Sequence, residues 1–316
     1  MISFRYHIVS IVSVFLALAV GVALGGGPLK GEVDNTLVEQ VENDREVKSD
    51  LQDEIAALRS GNKFTDAFAV TVAPSLLANS LAGRPVTLMV LPGAQQSAVT
   101  SVAELVEVAG GSVGGTLRVG EDMVDVSNKQ LVDELGTQLL DGAPDVDVAD
   151  DASGYERMGA LLARAVGTEK NAGAQVDEVA NGILSGLSTA GLMSPEGDLD
   201  RRGSLVVFLA GPGTGSSEEK QGANTIVGSL AKAIDVGTDG VVVAGPIASA
   251  REDGLVEAIR RDVVAAREVS TVDSLGRTAG EVVTVMALAG QAADVAGHYG
   301  AVDAADGAMP GAVPAD

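Results

Sequence analysis

The chain has 316 residues, a formal net charge of −23 and a pI of about 4.3. This length provides a sizeable core for one or two domains, and the strong negative charge argues against a nucleic-acid partner because it repels phosphate backbones. The sequence contains no cysteine, which excludes disulfides, thiolate metal ligands and cysteine nucleophiles.

The first predicted element is an apolar N-terminal helix. Residues 8–27 carry no charge, and a helix of roughly 20 residues can cross the hydrocarbon core of a bilayer. Arg5 precedes the run and acidic residues follow it, so the positive-inside rule predicts a single-pass anchor with a cytoplasmic N-terminus and an extracytoplasmic bulk. A cleaved signal peptide is the alternative, because Ala23 and Gly25 have the small side chains of a cleavage site.

Small residues recur every four positions along one face of this helix. Such a face lets two membrane helices approach closely, and its last pair forms a GxxxG motif. The alternative is that these residues reflect only the general abundance of glycine and alanine in membrane helices. The four residues predicted to support dimerisation are Ser13, Ala17, Gly21 and Gly25.

The next predicted element is a charged helix that needs a partner. Residues 32–60 contain no glycine or proline. Apolar residues recur there at alternating spacings of four and three, which is typical of a coiled coil with a polar middle. Lys48 at a core position favours a dimer over higher oligomers, and the small-residue face upstream favours the same parallel homodimer. A helix packed on its own domain remains the alternative. The seam positions are Leu37, Val41, Asp44, Lys48, Leu51, Ile55 and Leu58.

Beyond residue 62, apolar runs alternate with helical stretches. This order predicts an α/β fold, here a Rossmann-like domain with a mostly parallel sheet covered on both faces. We therefore divide the chain into a transmembrane signal-anchor (1–28), a coiled coil (29–62), an extracytoplasmic α/β domain (63–299) and a disordered tail (300–316). Strands are predicted at 86–93, 112–120, 204–213, 240–246 and 269–274. Helices are predicted at 95–109, 127–140, 155–166, 174–187, 217–235, 252–260 and 277–290.

One glycine-rich turn is the obvious candidate for a ligand site. The sequence AGPGTGSSEE places Gly211, Gly213 and Gly215 between a strand and a helix, as in dinucleotide-binding turns. However, Ser216 stands where the third glycine of that motif belongs, and two glutamates in the first helical turn would repel a phosphate. We favour a purely structural interpretation in which Ser216 and Glu219 form a capping box.

Other catalytic or metal-binding patterns are weak. The two histidines, His7 and His298, lie near opposite ends of the chain, and the methionines are dispersed. Asp145 and Asp147 suggest a calcium loop, but Ala149 and a missing glycine break the EF-hand pattern, so a solvated acidic loop is favoured. We expect no enzyme activity, no catalytic or cofactor-binding residues and no evident cofactor. Metal ligands are not identified.

The N-terminal segment nevertheless resembles a known family. Arg5, His7 and Ser10, followed by residues 14–21 (VFLALAVG) and 24–25 (LG), resemble the start of the actinobacterial MctB family. The order of anchor, coiled coil and α/β domain is similar over most of the chain. The resemblance implies copper transport or efflux at the cell envelope, described for this family as outer-membrane, with copper as a ligand on this ground alone. Related proteins called SteB imply a scaffold that pairs with a membrane partner, SteA, in cell division.

These two implications remain alternatives. The resemblance favours a role in copper homeostasis. The residues favour a dimeric extracytoplasmic scaffold, because a single apolar helix does not by itself form a pore. An α/β enzyme is the third hypothesis, and it would require a ligand above Gly211 and Gly215.

Overall fold

The computed structural model describes residues 4–25, 29–149, 151–197 and 199–311, with the backbone alone for residues 29–38. The chain divides into two compact units, Met1–Phe64 and Thr65–Asp316. The sequence-based division between coiled coil and α/β domain lies at residues 62 and 63. The sequence GGGP at residues 25–28 predicts a break or bend after the first helix, but residues 26–28 lie outside the described residues.

Two helices account for the first unit and lead into the second. Helix α1 is Phe4–Gly25, and helix α2 is Leu29–Leu77. The sequence predicted that the second helix would end near Ser60, but α2 continues for a further 17 residues. Its last turns bury Ala69 and Ala73 in the α/β unit, and this burial stabilises the helix despite Pro74 near its end.

The α/β unit contains a seven-stranded sheet and a separate two-stranded ribbon. The strand order of the sheet is β4-β2-β1-β6-β7-β8-β9, and all neighbours are parallel except β4 and β2. The predicted mixed α/β fold with an apolar N-terminal helix and a mostly parallel sheet is therefore confirmed. The strands are β1 (Pro85–Val90), β2 (Ser112–Val119), β3 (Ala174–Gln175), β4 (Met193–Glu196), β5 (Arg201–Arg202), β6 (Leu205–Leu209), β7 (Val241–Ala244), β8 (Ser270–Val272) and β9 (His298–Tyr299).

Helices cover both faces of the sheet. The central strands β1 and β6 are fully buried, which explains why their sequences are continuous apolar runs without alternation. The end of α2 packs with α3 and α11 on one face, and α5 to α9 pack on the other. The remaining helices are α3 (Gln96–Val108), α4 (Glu121–Val124), α5 (Lys129–Asp141), α6 (Gly154–Val166), α7 (Glu178–Thr189), α8 (Ser217–Asp235), α9 (Leu255–Arg261), α10 (Ala265–Glu268) and α11 (Thr278–Gln291).

The strand order creates a crevice between β1 and β6. The helix after β1 is α3, and the helix after β6 is α8; the two lie on opposite faces of the sheet. The loops that leave neighbouring strands therefore diverge at the carboxyl edge. Ligands of open α/β sheets bind at such a switch point.

Several short elements escaped sequence-based prediction. The edge strand β4 contains Pro195, which is tolerated there because an edge strand has one unpaired side.

The helix predicted at 174–187 begins only at Glu178, since residues 174–175 form β3 and Asp177 caps α7 by accepting a hydrogen bond from Ala180 N at 2.9 Å. A hydrogen bond from Arg164 also lowers the pKa of Asp177 to about 2.

The C-terminal segment is held against the sheet as far as the structure describes it. Composition led us to expect disorder from residue 300. Instead, Ala301 N and Val302 N donate hydrogen bonds of 2.6 and 3.0 Å to the buried carboxylate of Asp273, and Gly300 N donates to Gly307 O at 3.1 Å. These long-range contacts fix a segment that has no regular pattern. Residues 312–316 lie outside the described residues.

Candidate functional site

The carboxyl edge of the sheet holds a cleft of about 530 Å³ at the switch point between β1 and β6. We call it the switch cleft. Leu91 and Pro92 follow β1, and residues 210–215 follow β6, so the cleft is formed where the two strands end. Its outer wall comes from α4 and the turn after it, and from the first turns of α8. Further lining residues are Glu121, Val124, Asp125, Val126, Glu218, Glu219, Lys220, Ala223, Asn224, Val227 and Leu255.

The glycines of the turn have structural reasons of their own. A Cβ atom on Gly211 would lie 2.2 Å from Gly93 C and O, so the loops after β1 and β6 can touch only because this side chain is absent. Gly215 has a φ of +93°, a backbone conformation that favours glycine. A Cβ atom there would also lie 2.7 Å from Glu219 Oε2. Gly211 therefore lets the loops after β1 and β6 touch, and Gly215 leaves room for the Glu219 side chain that caps α8.

The predicted capping box is confirmed at the start of α8. Ser216 Oγ accepts a hydrogen bond from Glu219 N at 3.3 Å, and Glu219 Oε2 accepts one from Ser216 N at 2.7 Å. The hydrogen bond from Ser216 N, together with one that Ser216 Oγ donates to Glu219 Oε2 at 2.8 Å, lowers the pKa of Glu219. The helix N-terminus that would bind a pyrophosphate is thus already occupied by a carboxylate.

The electrostatics of the cleft are dominated by carboxylates. Glu121, Asp125, Glu218 and Glu219 line it, against Lys220 as the one lining cation among the described residues. Asp125 accepts a hydrogen bond from Ser127 N at 2.8 Å, and this bond lowers the pKa of Asp125. Such a site repels phosphates and attracts cationic groups, so it does not suit a nucleotide.

The predicted dimerisation residues of the anchor all lie on α1 and are exposed. Cβ atoms added at Gly21 and Gly25 would meet no other atom within 4 Å. Ser13 Oγ donates a hydrogen bond to Val9 O at 2.8 Å, so the hydroxyl group has a partner within its own helix. The face is available for a second helix, and its role in dimerisation stays a prediction.

The predicted seam lies on α2, where its described apolar side chains are exposed. Val41, Leu51, Ile55 and Leu58 are 46, 52, 45 and 60 % exposed, respectively. Asp44 and Lys48 are exposed between them, while the side chain of Leu37 lies outside the described residues. Dimerisation through this seam likewise stays a prediction.

The side chains considered as metal ligands are His7, His298, Asp145 and Asp147. Both ring nitrogens of His298 are engaged: Nδ1 lies 2.9 Å from Thr271 Oγ1 and Nε2 lies 3.0 Å from Ala266 O. His7 lies on α1. Asp145 Oδ2 pairs with Arg164 Nε at 2.5 Å, whereas Asp147 is exposed. Within the described residues, no three histidine or carboxylate side chains converge as a metal site would require.

Comparison with known proteins assigns the family. Residues 1–310 match the family described as "Copper transport outer membrane protein, MctB". The chain belongs to the MctB family. This match confirms the predicted resemblance, which covers most of the chain.

Curated relatives of this MctB-family chain come from mycobacteria. Proteins named "Copper transporter MctB" from Mycobacterium bovis and Mycobacterium tuberculosis are 27 % identical over 293 residues, covering 91 % of this chain and 92 % of theirs. The protein of the same name from Mycobacterium leprae is 26 % identical over 302 residues, with the same coverage of both chains.

The sequence analysis located the glycine-rich turn of the switch cleft but missed part of its outer wall. The missed part consists of α4 and Val126, and Val126 is 51 % exposed. Helix α4 has four residues, too few for a periodic pattern. The available signal was the acidic pair Glu121 and Asp122 directly after a predicted strand, since strand ends meet at the carboxyl edge of a parallel sheet.

Proposed function

We propose that this chain is a non-enzymatic, membrane-anchored protein of the cell envelope that acts in copper homeostasis. The observation that carries the proposal is the family match over residues 1–310, which includes the apolar helix and the α/β unit together. The names of the mycobacterial relatives supply the link to copper. Copper is here the substrate that the system handles rather than a resident cofactor.

The protein would act as a dimeric anchor and scaffold rather than as a pore. Helix α1 is long and apolar enough to cross a membrane, and among the described residues it is the one helix that is. Two features support pairing with a second copy: the small-residue face of α1 and the exposed apolar seam of α2. Arg5 before the span supports a cytoplasmic N-terminus and an extracytoplasmic α/β unit.

The second candidate function is a SteB-type scaffold that docks a SteA-like membrane partner in cell division and envelope assembly. The exposure of Leu51, Ile55 and Leu58 favours it, because three large apolar side chains on one stripe of a charged helix call for a protein partner. Both candidate functions use the same membrane anchor and the same dimer. They differ in the process, which is cell division here and copper homeostasis in the first.

Deletion of the gene in its own host separates the two functions. We expect the deletion strain to lose copper tolerance and to regain it with the wild-type gene. A Gly21→Leu/Gly25→Leu double variant or Leu51→Asp should restore tolerance poorly, because both disturb the proposed dimer. The matched control is Ala57→Asp, which adds the same charge to an exposed site off the seam.

Septum morphology provides the second readout. Division defects that persist when copper is chelated, together with normal copper tolerance, would support the division scaffold instead. Normal tolerance and normal septa in the deletion strain would refute both functions. Full rescue by Leu51→Asp and by the glycine double variant would refute the dimeric mechanism.

A further inference from the structure

We propose that the switch cleft binds an extended, basic peptide segment of a partner protein. The inference rests on the proposed scaffold function and specifies the chemistry of the partner that the scaffold would hold. It is supported by the charge of the cleft, the apolar side chains of its outer wall, a length of backbone without hydrogen-bond partners and a neighbouring cavity along the sheet edge.

The net negative charge of the cleft favours a cationic ligand. Glu121 and Glu218 are exposed carboxylates that line the cleft from α4 and α8, respectively. Asp125 and Glu219 add two more negative charges, although hydrogen bonds already hold both. Lys220 is the one cation facing them among the described residues, so the cleft has a charge excess that lysine or arginine side chains would neutralise.

The outer wall of the cleft also carries apolar side chains, which a cation alone would not cover. Val126 is half exposed although it lies inside the concave surface, and Val124 beside it is partly exposed. A small polyamine would leave this apolar surface in contact with water. A peptide with apolar and basic side chains would cover these valines and neutralise the carboxylates together.

The backbone of the turn offers main-chain pairing. Residues 211–215 are irregular, residues 212–215 are exposed, and none of the five takes part in a backbone hydrogen bond within the described chain. Gly213, Thr214 and Gly215 therefore present free N–H and C=O groups along the cleft. An extended peptide can satisfy such groups by lying beside them with its own N–H and C=O groups.

A neighbouring cavity extends the surface available to such a segment. A second cavity of about 440 Å³ at the carboxyl end of β2 shares Pro92 and Glu121 with the switch cleft. Its lining cation, Arg118, is paired with Glu196 and adds no free positive charge. Because the two cavities share Pro92 and Glu121 as lining residues, we expect a segment at about 3.3 Å per residue to run from one into the other.

Peptide binding by the full-length chain in lipid nanodiscs tests the proposal. The probe is a fluorescent octapeptide of alternating valine and lysine, followed by fluorescence anisotropy at low ionic strength. We expect Glu121→Gln/Glu218→Gln to weaken binding about tenfold and to flatten its salt dependence. The matched control is Glu104→Gln/Glu107→Gln, which removes two exposed charges from α3 outside the cleft and should bind like the wild type.

Two alternative probes and one competitor test the separate parts of the proposal. Equal binding of an alternating valine–glutamate octapeptide would overturn the charge argument. Equal binding of a probe methylated on alternate backbone nitrogens would overturn main-chain pairing, and full displacement by equimolar spermine would reduce the site to a simple cation site. Equal binding by wild type and the Glu121/Glu218 double variant would overturn the proposal as a whole. The oligomeric state of the same samples is recorded, so that loss of the cleft interaction is distinguishable from failure of the dimeric scaffold.

Discussion

Asp235 is a carboxylate in an unfavourable position at the end of α8. Its Oδ1 accepts a hydrogen bond from Val241 N at 3.0 Å, at the start of β7. Burial raises the pKa of Asp235 to about 6, although this hydrogen bond opposes the shift, and the nearby Glu268 raises it further. The ionised form is therefore less stable in the fold than in the unfolded chain.

Replacing Asp235 by asparagine should remove a pH dependence of stability. The carboxyl titrates near 3.8 when unfolded and near 6 when folded, so between these values the unfolded chain binds fewer protons. The unfolding free energy should fall as pH rises from about 4 to 6, by an amount on the order of 1 kcal/mol because water partly screens the half-buried group. Denaturant unfolding at pH 4 and 7 measures the difference, with Asp141→Asn as an exposed control. An unchanged pH slope in Asp235→Asn would contradict the assignment.

At the scale of elements, α2 combines two kinds of surface. From Val41 to Leu58 its seam is exposed, whereas Ala69, Ala73 and Leu77 are buried in the α/β unit. In heptad notation Val41 and Ile55 occupy a positions, and Leu51 and Leu58 occupy d positions. This distribution of β-branched residues and leucine favours a parallel two-stranded coiled coil.

Cysteine cross-linking tests the parallel, in-register pairing of α2. The chain has no cysteine, so a single Leu51→Cys substitution introduces one thiol, and mild oxidation should convert most of the protein to a disulfide-linked dimer. Asp53→Cys, an exposed position off the seam, should cross-link far less, since its thiols would point away from each other. Non-reducing electrophoresis measures both, and equal cross-linking of the two variants would argue against the seam.

At the scale of the whole molecule, Asp273 ties the C-terminal segment to the sheet. Its side chain is fully buried and lies 3.1 Å from Arg260 Nη1. Arg260 in turn donates hydrogen bonds to Tyr299 O at 2.9 Å and Val302 O at 2.6 Å. One ion pair thus connects β8, α9 and the residues after β9.

Asp273→Asn should destabilise the α/β unit and release its C-terminal segment. Removing one partner of a buried ion pair costs roughly 3–5 kcal/mol, because the other charge stays buried without compensation. We expect a lower Tm and faster proteolysis after residue 300, measured by calorimetry and mass spectrometry. Asp294→Asn, at an exposed position, is the control. Wild-type stability of Asp273→Asn would show that the pair contributes little.

Much of the fold was predictable because its signals are local. The central strands are continuous apolar runs, and α8 begins and ends at the residues that its capping box and periodicity indicated. The apolar N-terminal helix was equally clear from its length and lack of charge. The candidate site was predictable in part, since a glycine-rich turn between strand and helix marks the carboxyl edge of a parallel sheet.

The remaining features depend on contacts between distant parts of the chain. Strands β4 and β9 are too short for a periodic pattern and exist because neighbouring strands pair with them. The continuation of α2 to Leu77 depends on burial against the sheet, and the position of residues 300–302 depends on Asp273. The carboxylates of the switch cleft come together only because the strand order brings α4 and α8 to the same edge of the sheet.

The sequence by itself thus determined the apolar N-terminal helix, the α/β class and the family resemblance, because apolar length, periodicity and motif are properties of neighbouring residues. Only the tertiary structure decided where the cleft lies, which carboxylates line it and how the C-terminal segment is held. Those features arise from side chains that are far apart in the chain and meet only when the sheet is assembled.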